Sequence, residues 1–493
     1  MRVFLAVHLP KLSLEVFRPR WLSEPAHGSV VLEKDKVVIA DRAAYEAGVL
    51  LGMKRGGVLT LSPETAMYER DIAREAAAQR EVGMGLMKFS PDVALLNEAT
   101  VIVEIGASLR LFGGLLSLCR QARAMLDTFG LTARISAAPT GQGAWLLAQY
   151  GREQGAHRVL QLASLERVLL PLPMLAVPEI RPFADWFAGL GCETIADVRR
   201  LPRAGLQRRC GEHLLDSLDR AFGTAPELFD WLALPPTFSA RIELPDRLEH
   251  ADGAVFAAHR LIVQLCGWLC AKQLAVTAIT LSIEHERGRQ ALPPTQIEIA
   301  LGEPAWREDH LLRLAKERLH RVELVAPAIA LRLDASKVES AVPETDSLFP
   351  EPGGSPEEHA RLIELLIARL GDENVLRPAP TADYRPEVAN RWVPVSEVAK
   401  DIALPNSLPR PTWMLATPLR LLMRQHRPFY GSSLRMMSPA ERIEAGWFDG
   451  ELVTRDYFVA QADDRSCYWI YRERISSRDA EETQRWFLHG LFG

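Results

Sequence analysis

Cysteine is scarce in this chain, six among 493 residues, too few and too scattered for a disulfide framework. The closest pair, Cys266 and Cys270, stands four apart in the apolar run from Leu261 to Leu274, on one face of a helix. No second pair follows at metal-ligand spacing, so buried thiols are expected there. Lysine is rare beside arginine, nine of 58 basic residues, an imbalance that genome composition explains as readily as function. No apolar run approaches the roughly 18 residues that a membrane span needs. The stretch from Val3 to Leu9 is too short, and too soon broken by His8 and Pro10, to be a signal peptide. A soluble cytoplasmic protein with no membrane partner is expected.

What is present is a globular balance. With 48% hydrophobic and 25% charged residues and a mean hydropathy of -0.03, a disordered chain is excluded. At roughly 100 to 200 residues per domain, the length implies about three to five domains. The net charge of -5 argues against capture of nucleic acid by bulk charge, but not against a local basic patch.

Val3 to Leu9 reads as a buried strand, Thr100 to Ile105 as a second and Thr132 to Ala138 as a third, with a helix from Leu115 to Phe129 between the last two. Ile72 to Met87 reads as another helix. Proline density rises beyond Ser164 (Pro171, Pro173, Pro178, Pro182) and announces a compact helical module up to Pro235. A second α/β layer follows, with helices over Ala251 to Gln273 and Glu308 to Leu324 and strands over Val276 to Glu284 and Ala328 to Leu333. Val338 to Gly354, rich in Pro, Gly and acids, reads as an exposed linker. Ser355, Pro356 and Glu358 then form a helix start, and Gly371 is its stop. Leu452 to Gln461 and Cys467 to Arg474 read as a hairpin.

Particular residues give this order a meaning: Gly48-Val49-x-x-Gly52-Met53, Leu109-Arg110-Leu111-Phe112-Gly113-Gly114, Gly130-Leu131-Thr132, Ala138-Pro139, and Leu190-Gly191 through Leu201-Pro202 with Gly205 and Gly211. Together, over roughly residues 1 to 335, they resemble the Y-family of translesion DNA polymerases. The resemblance implies an α/β (in part α+β) multidomain fold: a palm from residues 1–14 and 71–164, fingers from 15–70, a helix-hairpin-helix thumb from 165–235, a little finger from 236–335, a linker over 336–354 and a C-terminal extension over 355–493.

The family transfers phosphoryl groups with two metal ions held by carboxylates at strand ends. Aligned on the family, Ala6 and His8 stand where the first strand carries two acids, and Ala99 and Thr100 stand where the second carries adjacent Asp and Glu. A shifted register puts Asn97 and Glu98 there instead. The family's Phe pair falls on Pro10 and Lys11, its phosphate-binding Lys on Trp145, and its finger Tyr and Arg find only Arg42 and Tyr45 nearby. Neither a metal site nor a cofactor is expected, and the palm still folds, because packing and metal chemistry use different residues.

The strings Arg410-Pro411-Thr412-Trp413, Glu441 to Gly450 (ERIEAGWFDG), Arg455-Asp456-Tyr457-Phe458 and Trp486 to Phe492 (WFLHGLF) narrow the resemblance to the polymerase-like subunit of bacterial SOS mutasomes, a subgroup that lacks the polymerase acids and acts as an adaptor. It implies four partners: primer-template or single-stranded DNA, the beta sliding clamp, a RecA-like mutasome subunit and an error-prone C-family DNA polymerase. A nucleoid-associated location goes with them. For DNA, Arg199, Arg200, Arg203, Arg208 and Arg209, with Gly205 and Gly211, offer phosphate contacts in the thumb; a solvated helix face is the plain alternative. For the clamp, Thr345-Asp346-Ser347-Leu348-Phe349 resembles the clamp-binding peptide with Thr345 in place of Gln, unless Leu348 and Phe349 merely pack on a neighbouring domain. The aromatics of residues 447–492 form a small core or an interface, and Trp486, Phe487, Leu488, Leu491 and Phe492 are the candidate partner contact.

Two rival readings remain: a Y-family polymerase using displaced acids such as Asp92, Glu98 or Glu104, and a helix-hairpin-helix DNA-repair enzyme. No acid lies between Val3 and Leu14, which opposes the first, and no catalytic constellation accompanies the module, which opposes the second. The clamp motif is testable directly. Leu348→Ala with Phe349→Ala is expected to abolish binding to immobilised sliding clamp while DNA affinity stays unchanged; undiminished clamp binding would sink the motif.

Overall fold

The first strand expected from the sequence lies inside the sheet around which the N-terminal part is built. A computed structural model describes residues 2–22, 26–151, 158–286, 292–341, 356–397, 410–474 and 485–492. Strand β1 (Phe4–His8) is followed by the short helix α1 (Leu12–Glu15). An insert comes next: β2 (Ser29–Glu33), β3 (Lys36–Ala40), α2 (Arg42–Glu46), α3 (Arg55–Leu61) and β4 (Ala66–Glu69). The chain returns through α4 (Ile72–Leu86), β5 (Val93–Leu96), β6 (Thr100–Glu104), α5 (Leu115–Thr128), β7 (Arg134–Ala138) and α6 (Gly141–Tyr150).

The central sheet is antiparallel in the order β5-β6-β1-β7. Ala6 stands between Ile102 and Ser136, and His8 between Thr100 and Arg134. Alternation along the strands gives this sheet two apolar faces. Leu5, Val7, Val101 and Val103 pack on α4 and α5, while Phe4, Ala6, Ile102 and Ala138 pack toward α6 and the helical module beyond it. Burial on both sides is why these strands read as continuous apolar runs. β5 escaped the sequence reading because four residues are too few to display a period.

The module comprises α7 (Leu162–Leu169), 3-10 turns at Met174–Ala176 and Pro178–Phe183, then α8 (Ala184–Gly189), α9 (Ile195–Arg200), α10 (Arg203–Cys210) and α11 (Glu212–Ala221). The second layer runs β8 (Ser239–Leu248), α12 (Val255–Lys272), β9 (Leu274–His285), β10 (Thr295–Ala305), α13 (Glu308–His320) and β11 (Ala328–Ser340), with sheet order β10-β9-β11-β8. The sequence reading had only β9 and β11. The alternation of Ile297, Ile299 and Leu301, all buried, was a legible signal for β10. β11 also extends to Ser340, into the stretch taken as linker.

Helix α12 corrects another expectation. An 18-residue window within Ala251–Lys272 reaches a mean hydropathy of 1.5, with 67% of it buried. The helix is apolar all round because it is covered on two sides. Leu261, Leu265 and Leu269 belong to the core of the second layer, whereas Val263 joins the core of the first sheet. At the crossing with α4, a Cβ added to Gly267 would stand 2.0 Å from the Met84 carbonyl oxygen, so only glycine allows this approach. Arg260 pairs with Glu81 at 2.6 Å beside it, and Lys88 with Glu308 at 3.0 Å. A hydrogen bond from His259, aided by the Lys88 charge, holds the Glu308 carboxyl down to about 2 against the effect of burial. Cys266 is buried and Cys270 half-buried, as expected, and burial raises both thiols. All six cysteines are free.

Helix α14 (Pro356–Leu370) stops where Gly371 takes a φ of +95°; Ser355 lies outside the described residues. Residues 370–493 form a compact unit of their own. It begins with a hairpin, β12 (Leu376–Pro380) and β13 (Asn390–Pro394). Strands β14 (Trp413–Arg420), β15 (Leu422–Arg424), β16 (Arg427–Tyr430), β17 (Ser432–Ser433), β18 (Arg435–Met436), β19 (Glu441–Ala445), β20 (Val453–Gln461), β21 (Cys467–Glu473) and β22 (Trp486–Leu491) follow. The main sheet has the order β14-β22-β21-β20-β18, with β19 also on β20. The expected hairpin is β20–β21. The molecule is therefore a mixed α/β multidomain protein.

Gly267→Ala is expected to cost about 1–3 kcal/mol, the usual toll of overpacking, read as a lowered Tm. Gly205→Ala, in an α10 position with nothing within 4 Å of the new Cβ, should be neutral or stabilising by up to ~1 kcal/mol.

Candidate functional site

The positions that the family uses for metal ligands gather at one end of β1 and β6. Ala6 is fully buried within an apolar cluster that includes Phe4, Ile102 and Trp145. Its neighbour two residues on, His8, points along the same face. The His8 Nδ1 atom lies 3.1 Å from the Thr100 hydroxyl and 3.0 Å from the Glu98 carbonyl oxygen, to which Thr100 also donates at 3.1 Å. Burial lowers the His8 pKa, with the Glu98 carbonyl opposing and the Arg134 charge assisting. Ala99 is not in a strand. Glu98 and Ala99, with φ of +57° and +49°, turn the chain from β5 into β6, a conformation that side chains other than Gly, Asn or Asp adopt with strain.

Two of the three candidate displaced acids, Glu98 and Glu104, have structural partners. Glu98 forms an ion pair with Arg181 of the 3-10 turn Pro178–Phe183, and Arg181 also donates to the Tyr150 hydroxyl at 3.3 Å. Glu104 accepts from the backbone N–H groups of Val3 and Gly106 at 3.2 and 3.1 Å. Glu98 lies in the turn before β6 and Glu104 is the last of its five residues, so their backbones are some 13 Å apart or more at about 3.3 Å per residue. Two-metal sites hold their ions only about 4 Å apart. Among the described residues, no group of three or more His, Cys, Asp and Glu is placed to hold a metal ion.

Trp145, aligned with the family's phosphate-binding Lys, is buried and donates from Nε1 to the Asn97 carbonyl oxygen at 3.4 Å. It lies on α6, whose first N–H groups are already satisfied. Glu227 accepts from Gly141 and Gln142 at 2.7 and 2.6 Å, and the Thr140 hydroxyl caps Gly143. A carboxylate thus sits at a helix N-terminus of the kind that binds anions. Sequence reasoning missed both Arg181 and Glu227, for nothing local marks a charge whose partner lies about 80 residues away. Arg42 forms an i,i+4 pair with Glu46, and Tyr45 on the same short helix is exposed.

Arg199, Arg200, Arg203, Arg208 and Arg209 are each exposed, but several are engaged. Arg203 grips Asp219 with two nitrogens at 2.9 and 2.6 Å. Arg199 pairs with Glu166 at 2.9 Å and lies 3.9 Å from the centre of the Phe222 ring. Arg200 pairs with Asp197 at 3.3 Å, and Arg209 lies 5.9 Å from the Trp186 ring. Arg208 is exposed. Exposed pairs contribute little stability, so a phosphate can displace the carboxylates. Gly211, with a φ of +86°, makes the turn between α10 and α11, whereas Gly205 lies within α10 rather than in a turn. In the second layer, Arg260 is buried against Glu81, and Arg241 and Arg247 pair with Glu284 and Glu286.

The clamp motif Thr345, Asp346, Ser347, Leu348 and Phe349 lies outside the described residues. The candidate partner contact at the C-terminus lies at a strand inside a sheet. Trp486, Phe487, Leu488 and Leu491 belong to β22, hydrogen-bonded between β14 and β21. Trp486 and Leu488 are buried, and Phe487 stacks on Tyr471 at 5.1 Å. Phe492 is half-buried and packs with Tyr457 and Trp469. Trp486 and Leu488 are core, whereas Phe487, Leu491 and Phe492 are half-buried and Trp447 and Phe448 are exposed.

Ala6→Asp tests whether the strand end remains a ligand position. With no polar partner in that cluster, the substitution is expected to lower stability by about 3 kcal/mol and to gain nothing from Mg²⁺. Wild-type Tm, or a rise in Tm with Mg²⁺, would show a hydrated pocket there.

No family model matches the chain. A curated protein named ImuB from Caulobacter vibrioides (strain NA1000 / CB15N) is 24% identical over 467 residues, covering 90% of this chain and 100% of that protein. The same protein from strain ATCC 19089 matches equally. Among solved structures, a ternary complex of Dbh is 16% identical with a TM-score of 0.39, covering 67% of this chain and 98% of that one. A Y-family DNA polymerase chimera of Dbh and Dpo4 is 15% identical with a TM-score of 0.37, covering 68% and 98%. Over nearly its whole length, this chain is similar to ImuB.

Proposed function

We propose that this chain is a polymerase-like adaptor without polymerase activity, which binds DNA and the sliding clamp and recruits an error-prone C-family polymerase for translesion synthesis in the SOS response. In this reading the β5-β6-β1-β7 sheet is the palm, the β3-β2-β4 insert the fingers, α7 to α11 the thumb and the second layer the little finger. A RecA-like subunit of the ImuA type joins the same assembly, at the nucleoid in the cytoplasm.

The observation that carries the reading is the end of β1. Ala6 is core, His8 is hydrogen-bonded to Thr100, and the acid beside it, Glu98, is committed to Arg181. Phosphoryl transfer by two metals needs several carboxylates converging on one point, and these side chains do not supply them. DNA contact through the module's arginines needs no such chemistry. Several modest contacts on one chain raise effective concentration, so each can be weak.

Primer extension on undamaged and lesion-bearing templates, with Mg²⁺ and then Mn²⁺, decides between adaptor and polymerase. Binding of primer-template without extension is expected. Extension lost on Glu98→Gln or Glu104→Gln would overturn the reading.

A further inference from the structure

We propose that residues 410–435 of the C-terminal unit form a second nucleic-acid contact, a face for single-stranded nucleic acid built on β14 and the β15–β16 hairpin. The inference rests on this unit alone and is independent of the polymerase-like reading of the N-terminal part.

The segment contains five arginines, one histidine and no acid, in a chain with 63 acids and a net charge of -5. Its ends are tied down: Arg410 pairs with Glu441, and Arg435 donates to Gln461 at 3.1 Å. Its middle is different. Arg420, Arg424 and Arg427 are exposed, and none has a carboxylate partner among the described residues. Arg199, Arg200 and Arg203 of the helical module, by contrast, all have one.

The hairpin places its charges against their own preference. Its register sets Arg424 directly opposite Arg427, with Gln425 and His426 at the tip in left-handed conformations of +47° and +62°. Like charges facing each other across a ladder are destabilising, and a bridging anion removes the penalty. Guanidinium groups suit phosphate oxygens in particular, because their planar forks donate two parallel hydrogen bonds.

The flanking side chains point to unpaired bases rather than to duplex. Trp413 is 68% exposed on β14, and Tyr430 is 41% exposed at the end of β16. The Arg424 guanidinium lies 4.0 Å from the centre of the Phe429 ring, presenting a flat cationic surface. Exposed aromatic and guanidinium planes on the same stretch of chain as exposed arginines are the components of a single-strand platform. An acidic protein surface would use the cations but would leave the exposed rings without stacking partners.

The test uses the full chain and fluorescence anisotropy with labelled oligothymidylate across a salt series. Arg420→Gln, Arg424→Gln and Arg427→Gln together are expected to weaken binding at least tenfold near 0.1 M salt. The slope of log affinity against log salt should flatten by about 2, at about 0.7 for each phosphate that an arginine no longer neutralises, with Tm unchanged or raised. A folded triple variant with wild-type affinity and slope overturns the proposal and leaves an acidic protein as the occupant. If the triple variant does not fold, Arg424→Gln alone must flatten the slope by about 0.7; no change overturns the proposal equally. Arg199→Gln with Arg203→Gln separates the two surfaces. Loss of oligothymidylate binding in this variant alone, with the hairpin variant intact, refutes the second surface while sparing the first.

Discussion

Burial of β1 on both faces constrains everything near its end. A strand covered on one side leaves the other free for polar chemistry, whereas here the face of Phe4 and Ala6 is packed as tightly as that of Leu5 and Val7. A charge at Ala6 would have to be desolvated with no partner, at a cost of several kcal/mol. Polar side chains are therefore confined to the rim, where His8, Thr100 and the Glu98 turn satisfy one another.

The same logic turns acids that could serve chemistry into structure. Glu98 joins the sheet to the helical module through Arg181, Glu227 closes the N-terminus of α6, Glu81 fastens α12 to the first layer through Arg260, and Glu308 of α13 pairs with Lys88 of that layer. The glycine at Gly267 lets α4 and α12 approach closely where Arg260 meets Glu81. Side chains held in this way stabilise the fold rather than converge on a metal site.

Charge is distributed by the same rule. In the module, where acids lie close by, Arg199, Arg200 and Arg203 each find a carboxylate. Over residues 410–435, where the sequence has no acid, Arg420, Arg424 and Arg427 are exposed with no carboxylate partner among the described residues.

Much was legible in the sequence because it is local. Short apolar runs marked β1, β6 and β7, helical spacing marked α4, α5, α12 and α13, and Gly371 marked the end of α14. The absence of acids around β1 needed no structure to be seen. Tertiary structure alone decided the rest. It placed β22 inside a sheet, making core of Trp486 and Leu488, and put Ala99 in a turn rather than a strand. It also matched Arg181 to Glu98 and Glu227 to α6. Each of those outcomes depends on residues far apart in sequence, and pairing across such distances follows from packing, which no local pattern encodes.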